Sequence, residues 1–270
     1  MHVLLTNDDG PLDDEACPYL KYLVDEIVTN TDWDLSIVVP NQQRSWIGKA
    51  HFAGRKLSAE YLYTQVSTAE KNQDVNIFEG PYKAPQQDKR DGPKYQEGCL
   101  VDSTPAACAD IGIHHAYPEK GPVDFVLSGP NFGKNSSNLY ILALGTVGAA
   151  MEAVTHGLKA VAISYSYTSL EHDFDEIKEA AKISVKLTEK LRKELSSSPE
   201  IDLFLVNIPL CPSLKLGRTK IHYAPIQQTQ WGSIYATAPE KDSFGRTQFD
   251  WAPDFDTVHE KSLADKSHSD

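Results

Sequence analysis

His2-Val3-Leu4-Leu5-Thr6-Asn7-Asp8-Asp9-Gly10 opens the chain with a short apolar run that ends at once in an amide, two carboxylates and a glycine. Two later stretches share that form: Leu35 to Pro40 leads to Arg44-Ser45, and Val123 to Leu127 leads to Ser128-Gly129-Pro130-Asn131. Short runs that are apolar nearly throughout read as buried parallel strands. In an open parallel sheet, ligands bind outside the carboxyl ends of the strands, where chain order reverses. The three polar loops are therefore expected to meet in one crevice. Their carboxylates, hydroxyl and amide suit a hard divalent cation that reaches for phosphate.

The elements around these runs follow a strand-helix rhythm. A helix over roughly Pro18 to Thr29 separates the first two strands, and the pattern predicts a Rossmann-like, doubly wound, mostly parallel α/β sheet. Regularity fails from about Arg55 to Gly98, where Lys, Gln, Asp, Pro and Gly gather around Lys83 to Pro93, and this reads as a surface excursion. Thr104 can cap a helix whose first position suits Pro105, running to about His114. Gly145-Thr146-Val147-Gly148 opens another helix, stopped at Gly157. A strand over Ala160 to Ser164, a long amphipathic helix from about Phe174 to Leu195 and a strand over Leu203 to Ile208 complete the core. Beyond Pro209 the rhythm stops. Only Thr219 to Tyr223 reads as extended there, so 1–270 reads as a single domain with a core of about 1–209 and an arm or hairpin over about 210–270.

Composition narrows the function. With 40% apolar and 24% charged residues the chain is that of a soluble globular protein. The most apolar stretch, Leu139 to Val154, carries two glycines and Glu152 and is too short to span a bilayer, so no membrane role is expected. A formal net charge of -12 opposes direct binding of duplex nucleic acid through the general surface. Cys17, Cys99, Cys108 and Cys211 show no zinc-like clustering, which points to reduced thiols in a cytosolic or nuclear protein, with a cytoplasmic location expected.

Each motif also has a plainer reading. Asp-Asp-Gly is ordinary turn chemistry, Ser45 alone is a solvated hydroxyl, and Ser128 to Asn131 could be a tight turn. The glycines from Gly145 to Gly148 could serve an anion at a helix N-terminus or close packing of that helix on the sheet. His51, His114, His115 and His156 do not pair at metal-ligand spacing and read as surface or internally satisfied histidines.

Taken together the motifs resemble the SurE (survival protein E) family of nucleotidases and phosphatases, and within it the fungal acid-phosphatase-like members. The resemblance rests on Leu4 to Gly10, Val39 to Ser45, Ser103 to Ala106, Asp124 to Asn135 and Gly145 to Glu152, and extends to Asn207-Ile208-Pro209. It implies hydrolysis of phosphomonoesters, often nucleoside monophosphates, with one divalent cation, Mg2+ or Mn2+. The family's metal ligands fall on Asp8, Asp9, Ser45 and Asn131, with Asp8 and Asp9 catalytic. The phosphate and substrate side is expected at Asn7, Ser128, Gly129, Asn135, Gly145 and Thr146. Leu144 stands where the family commonly has serine, and the family's usual closing strand does not occur before Asp270.

Neighbouring phosphoryl chemistries fit less well. A haloacid-dehalogenase-type phosphatase needs Asp-x-Asp, whereas Gly10 stands two places after Asp8; a receiver domain needs an Asp where Val123 to Leu127 ends in Ser128. By resemblance, the family's arms exchange to make homodimers. Some fungal members are joined to a tubulin-tyrosine-ligase-like domain and associate with mRNA-processing bodies. Hence the chain is also expected to be the N-terminal part of a longer protein. The alternative to catalysis is a weakly active or inactive interaction module whose partners include mRNA-decapping factors.

Overall fold

A computed structural model describes residues 1–13, 17–66, 78–90, 94–133, 136–167 and 173–264. In chain order it contains β1 (His2–Thr6), α1 (Leu20–Asn30), β2 (Asp34–Pro40), β3 (Ala59–Gln65), β4 (Phe78–Tyr82), the short α2 (Gln87–Arg90), β5 (Tyr95–Val101) and α3 (Pro105–His114). Then come β6 (Phe125–Phe132), α4 (Asn138–Ala143), α5 (Gly145–Thr155), β7 (Ala160–Ser166), α6 (Phe174–Ser197), β8 (Leu203–Pro209), β9 (Tyr235–Lys241), β10 (Thr247–Trp251) and α7 (Phe255–Ala264).

The described chain forms two compact units. One comprises Met1–Asn135 and Leu142–Lys220; the other comprises Ser136–Ile141 and Ile221–Asp270. In the first, eight strands lie in the order β4-β3-β5-β2-β1-β6-β7-β8. β1 pairs in parallel with β2 on one side and β6 on the other, so chain order reverses at β1. Helices cover both faces: α1 and α6 pack together over one, while α3 and α5 pack together over the other. This is the doubly wound arrangement that the alternating pattern predicts. Every residue of β1 is buried, as its unbroken apolar run requires.

Local chemistry explains the helix starts. The Thr104 side chain accepts a bond from the Ala107 amide at 3.1 Å, with Pro105 at the first helical position of α3. Asp173 does the same for α6 through the amides of Asp175 and Glu176.

Three sequence expectations need correction. The supposed excursion from about Arg55 to Gly98 carries β3, β4 and most of β5, with β3 antiparallel to both neighbours. The polar residues from Lys83 to Arg90 occupy a bend and the short α2, while Leu62 and Tyr63 are buried. Ser128 to Asn131 is not a loop: β6 continues to Phe132, with a register shift between Ser128 and Asn131. β1 pairs only as far as Thr6 with Ser128, so Pro130 interrupts no ladder on that side. Thr219 to Tyr223 is not a strand; the Thr219 hydroxyl closes a turn by accepting from the Lys215 amide at 2.8 Å.

The second unit contains an antiparallel hairpin of β9 and β10. Within it, Asn138 exchanges side-chain bonds with the backbone of Thr229, and Tyr140 meets Trp231 edge-on at 6.1 Å.

Candidate active site

Asp8 and Asp9 follow β1 at the reversal point, with side chains drawn out of solvent: Asp8 is 0% exposed and Asp9 3%. Asp8 lies against the start of α5. Its Oδ2 accepts from the Gly145 amide at 3.1 Å and its Oδ1 from the Thr146 hydroxyl. The positive end of the α5 dipole therefore faces the Asp8 carboxylate itself. Only glycine permits this approach, since a Cβ at 145 would lie 2.6 Å from Pro105 Cγ and 2.8 Å from Asp8 Cβ.

Asp9 has a different set of partners. Its Oδ2 accepts from the Tyr19 hydroxyl and from the Phe132 amide at 2.9 Å, and its Oδ1 from Gln43 Nε2 at 3.4 Å. Tyr19 stacks on Phe132 with ring centres 5.1 Å apart, and Phe132 stacks on Tyr167 at 4.2 Å.

Burial pushes the Asp8 carboxyl up to about 7, and the neighbouring Asp9 charge adds to the effect, against the opposing bonds from Thr146 and Gly145. Burial raises Asp9 as well, opposed by its bonds from Tyr19, Phe132 and Gln43. No lysine, arginine or histidine pairs with either carboxylate among the described residues. Two buried, adjacent carboxylates without a counter-ion favour a proton or a divalent cation between them.

Asn131 is brought to the same place, because the next residue, Phe132, bonds Asp9. The Asn131 side chain is buried and its Nδ2 has no hydrogen-bond partner among the described residues; the amide oxygen is the atom a cation would take. A bulge aims it there: Gly129 adopts φ +115, and a Cβ at that position would lie 2.2 Å from the Ile163 carbonyl oxygen. The loop carrying Ser45 is tied to the site through the backbone, since the Arg44 amide donates to the Asp8 carbonyl at 2.8 Å. Ser45 itself is exposed.

The remaining expected positions divide. Gly145 and Thr146 direct their donors at Asp8. The Asn7 side chain donates to the Gly10 carbonyl at 3.1 Å and to Cys17 Sγ at 3.4 Å and accepts from the Gly10 amide at 3.2 Å, so its bonds are structural. The Ser128 hydroxyl donates to the Thr146 carbonyl at 2.7 Å, fastening β6 to the first turn of α5. Asn135 lies outside the described residues. Tyr19 and Gln43 are what sequence reasoning missed, because nothing in an isolated Pro-Tyr or Gln-Gln marks a partner for a carboxylate.

The model of the family described as "Survival protein SurE" matches residues 3–233. The chain belongs to the SurE family. A yeast protein described as "Probable tubulin--tyrosine ligase PBY1" (Saccharomyces cerevisiae) is 38% identical over 96% of this chain, which spans 37% of that relative's length. The protein described as "5'-nucleotidase SurE" of Pelobacter propionicus is 30% identical over 79% of this chain and 68% of its own length. That of Methanocaldococcus jannaschii is 28% identical over 98% of this chain and 86% of its own. The crystal structure of the SurE protein from Aquifex aeolicus has the same fold, with a TM-score of 0.59 and 24% identity over 94% of this chain and 82% of that one. SurE membership thus places this chain among relatives described as nucleotidases.

Proposed function

We propose that the chain is a metal-dependent phosphomonoester hydrolase acting on nucleoside monophosphates. The observation that carries this reading is the buried Asp8–Asp9 pair at the sheet's reversal point, with no basic side chain facing it among the described residues. Asp8, Asp9, Ser45 and Asn131 would hold Mg2+ or Mn2+, an all-oxygen set suited to a hard cation. The bound ion would supply charge for the phosphate and polarise its oxygens.

The chain's own residues do the positioning. Gly145 and Thr146 hold the Asp8 carboxylate by both oxygens, and water is taken as the attacking group in this reading. Tyr19 and the Phe132 amide hold Asp9. Water oxygen forms the new bond to phosphorus as the bond from phosphorus to the ester oxygen breaks, and the proton that water gives up passes through solvent to the departing oxygen. Asp8 would orient that water.

Ser45→Ala and Asn131→Ala are expected to raise the Mg2+ concentration needed for half-maximal activity. Unchanged metal dependence in both would detach those side chains from the site.

A second reading has its own observation. The yeast relative, of which this chain spans 37%, is described as a probable ligase and not as a nucleotidase, and in this reading the SurE unit binds metal with little turnover and meets partners such as mRNA-decapping factors. Metal binding without phosphate release from any phosphomonoester would favour it.

A further inference from the structure

The far ends of α3 and α5 carry a cluster that takes no part in the site above. Asp110 and His114 stand four apart on α3, and Glu152 and His156 stand four apart at the end of α5, so each pair shares one helix face. Packing of the two helices joins the pairs. His114 Nε2 lies 3.0 Å from His156 Nδ1, and His156 Nε2 lies 3.2 Å from both Asp110 Oδ2 and Glu152 Oε1. One ligand atom from each of Asp110, His114 and His156 lies within 4.8 Å of the others. The two imidazoles, called surface or satisfied from their spacing in sequence, thus converge across helices.

The chemistry differs from that of the Asp8–Asp9 pair. Zinc bonds to nitrogen and oxygen at about 2.0–2.2 Å put neighbouring tetrahedral ligands about 3.3 Å apart; His114 meets the Nδ1 side of His156 and Asp110 its Nε2 side, so an ion taking one nitrogen from each ring needs a small side-chain adjustment from ligand atoms that lie within 4.8 Å of one another. Imidazole nitrogens select Zn2+ and its transition-metal neighbours over Mg2+. Both helices end at this point, so their negative poles favour a cation. His114 and His156 are exposed, and an ion can reach them from solvent. α5 rises about 16 Å between its Gly145 and His156 ends, which separates the cluster from Asp8.

We propose that Asp110, His114 and His156 form a second metal site that takes Zn2+ or a similar borderline transition ion and clamps α3 to α5. Glu152 orients the His156 ring from outside the ligand set. It is held in turn by Lys49 Nζ at 2.5 Å and His51 Nε2 at 3.1 Å.

The test uses the tag-free chain in excess Mg2+, titrated with Co2+ by visible absorption and with Zn2+ by competition against the bound Co2+, with circular dichroism to verify each variant's fold. The expected result is tight binding of one ion and a rise in Tm on loading. His114→Ala and His156→Ala are each expected to weaken binding about 100-fold, and Glu152→Gln about tenfold. Asp8→Asn and His115→Ala are expected to leave it intact. Absence of Zn2+ and Co2+ binding, binding that survives His114→Ala and His156→Ala, or binding lost in Asp8→Asn would each overturn the proposal.

Discussion

At the scale of single residues, Asp8 joins function to stability. Its carboxyl moves from 3.8 to about 7 in the folded chain, so the fold favours the protonated form. A carboxyl raised in this way contributes stability at pH below its unfolded value and loses it as pH rises toward the folded one, a cost on the order of 4 kcal/mol at most. Without divalent metal, urea denaturation is expected to show stability falling between about pH 4 and pH 7. Asp8→Asn should flatten that fall while reducing kcat by orders of magnitude, and added Mg2+ should restore the wild type most at the alkaline end. A pH-independent wild type, or an equal slope in Asp8→Asn, would contradict the assignment. Tyr19 makes a second case, because it donates to Asp9 from outside the expected ligand set. Tyr19→Phe is expected to weaken metal binding about tenfold with little change in the fold. Metal affinity equal to wild type in that variant would leave Tyr19 a packing residue alone.

At the scale of elements, the start of α5 is where sheet and site become one structure. Gly145→Ala places a Cβ between Pro105 and Asp8, so it should displace the helix start. The expected result is a lower Tm together with a loss of activity larger than the loss of folded protein explains. Thr104→Ala, which removes the cap of α3, should cost about 1 kcal/mol and leave metal binding unchanged, a contrast readable by denaturation alongside metal titration.

The same elements show what a sequence can carry. β1, β2 and the core of β6 were legible because each is an apolar run ending in polar residues, and the cap at Thr104 because Thr-Pro is a local signal. β3 and β4 were not, since β3 takes its burial from its neighbours, β4 is a largely exposed edge strand, and the flanks of both are polar. The two histidines at the ends of α3 and α5 were not, because the helices lie far apart in sequence and only packing joins them. Asp8 and Asp9 were picked out, but that α5 directs its first amides at Asp8 required the fold.

At the scale of the whole molecule, the hairpin of the second unit presents large apolar side chains to solvent, with Phe244 82% exposed and Phe249 65%. Surfaces of this kind mark association sites. A homodimer formed through the region after Pro209 is therefore expected, with light scattering giving twice the 29.9 kDa chain mass. A monomer would remove that expectation without touching the site. No helix among the described residues is long and apolar enough to cross a membrane.

The central claim is that the buried carboxylate pair hydrolyses phosphomonoesters with a divalent cation. Its most direct test is phosphate release from nucleoside 5′- and 3′-monophosphates and an aryl phosphate, measured on chelator-treated protein before and after addition of Mg2+ or Mn2+. The account predicts no release from the stripped protein, release on adding either ion, and none from Asp8→Asn under the same conditions. Turnover that persists through chelation, or that Asp8→Asn retains, would contradict it.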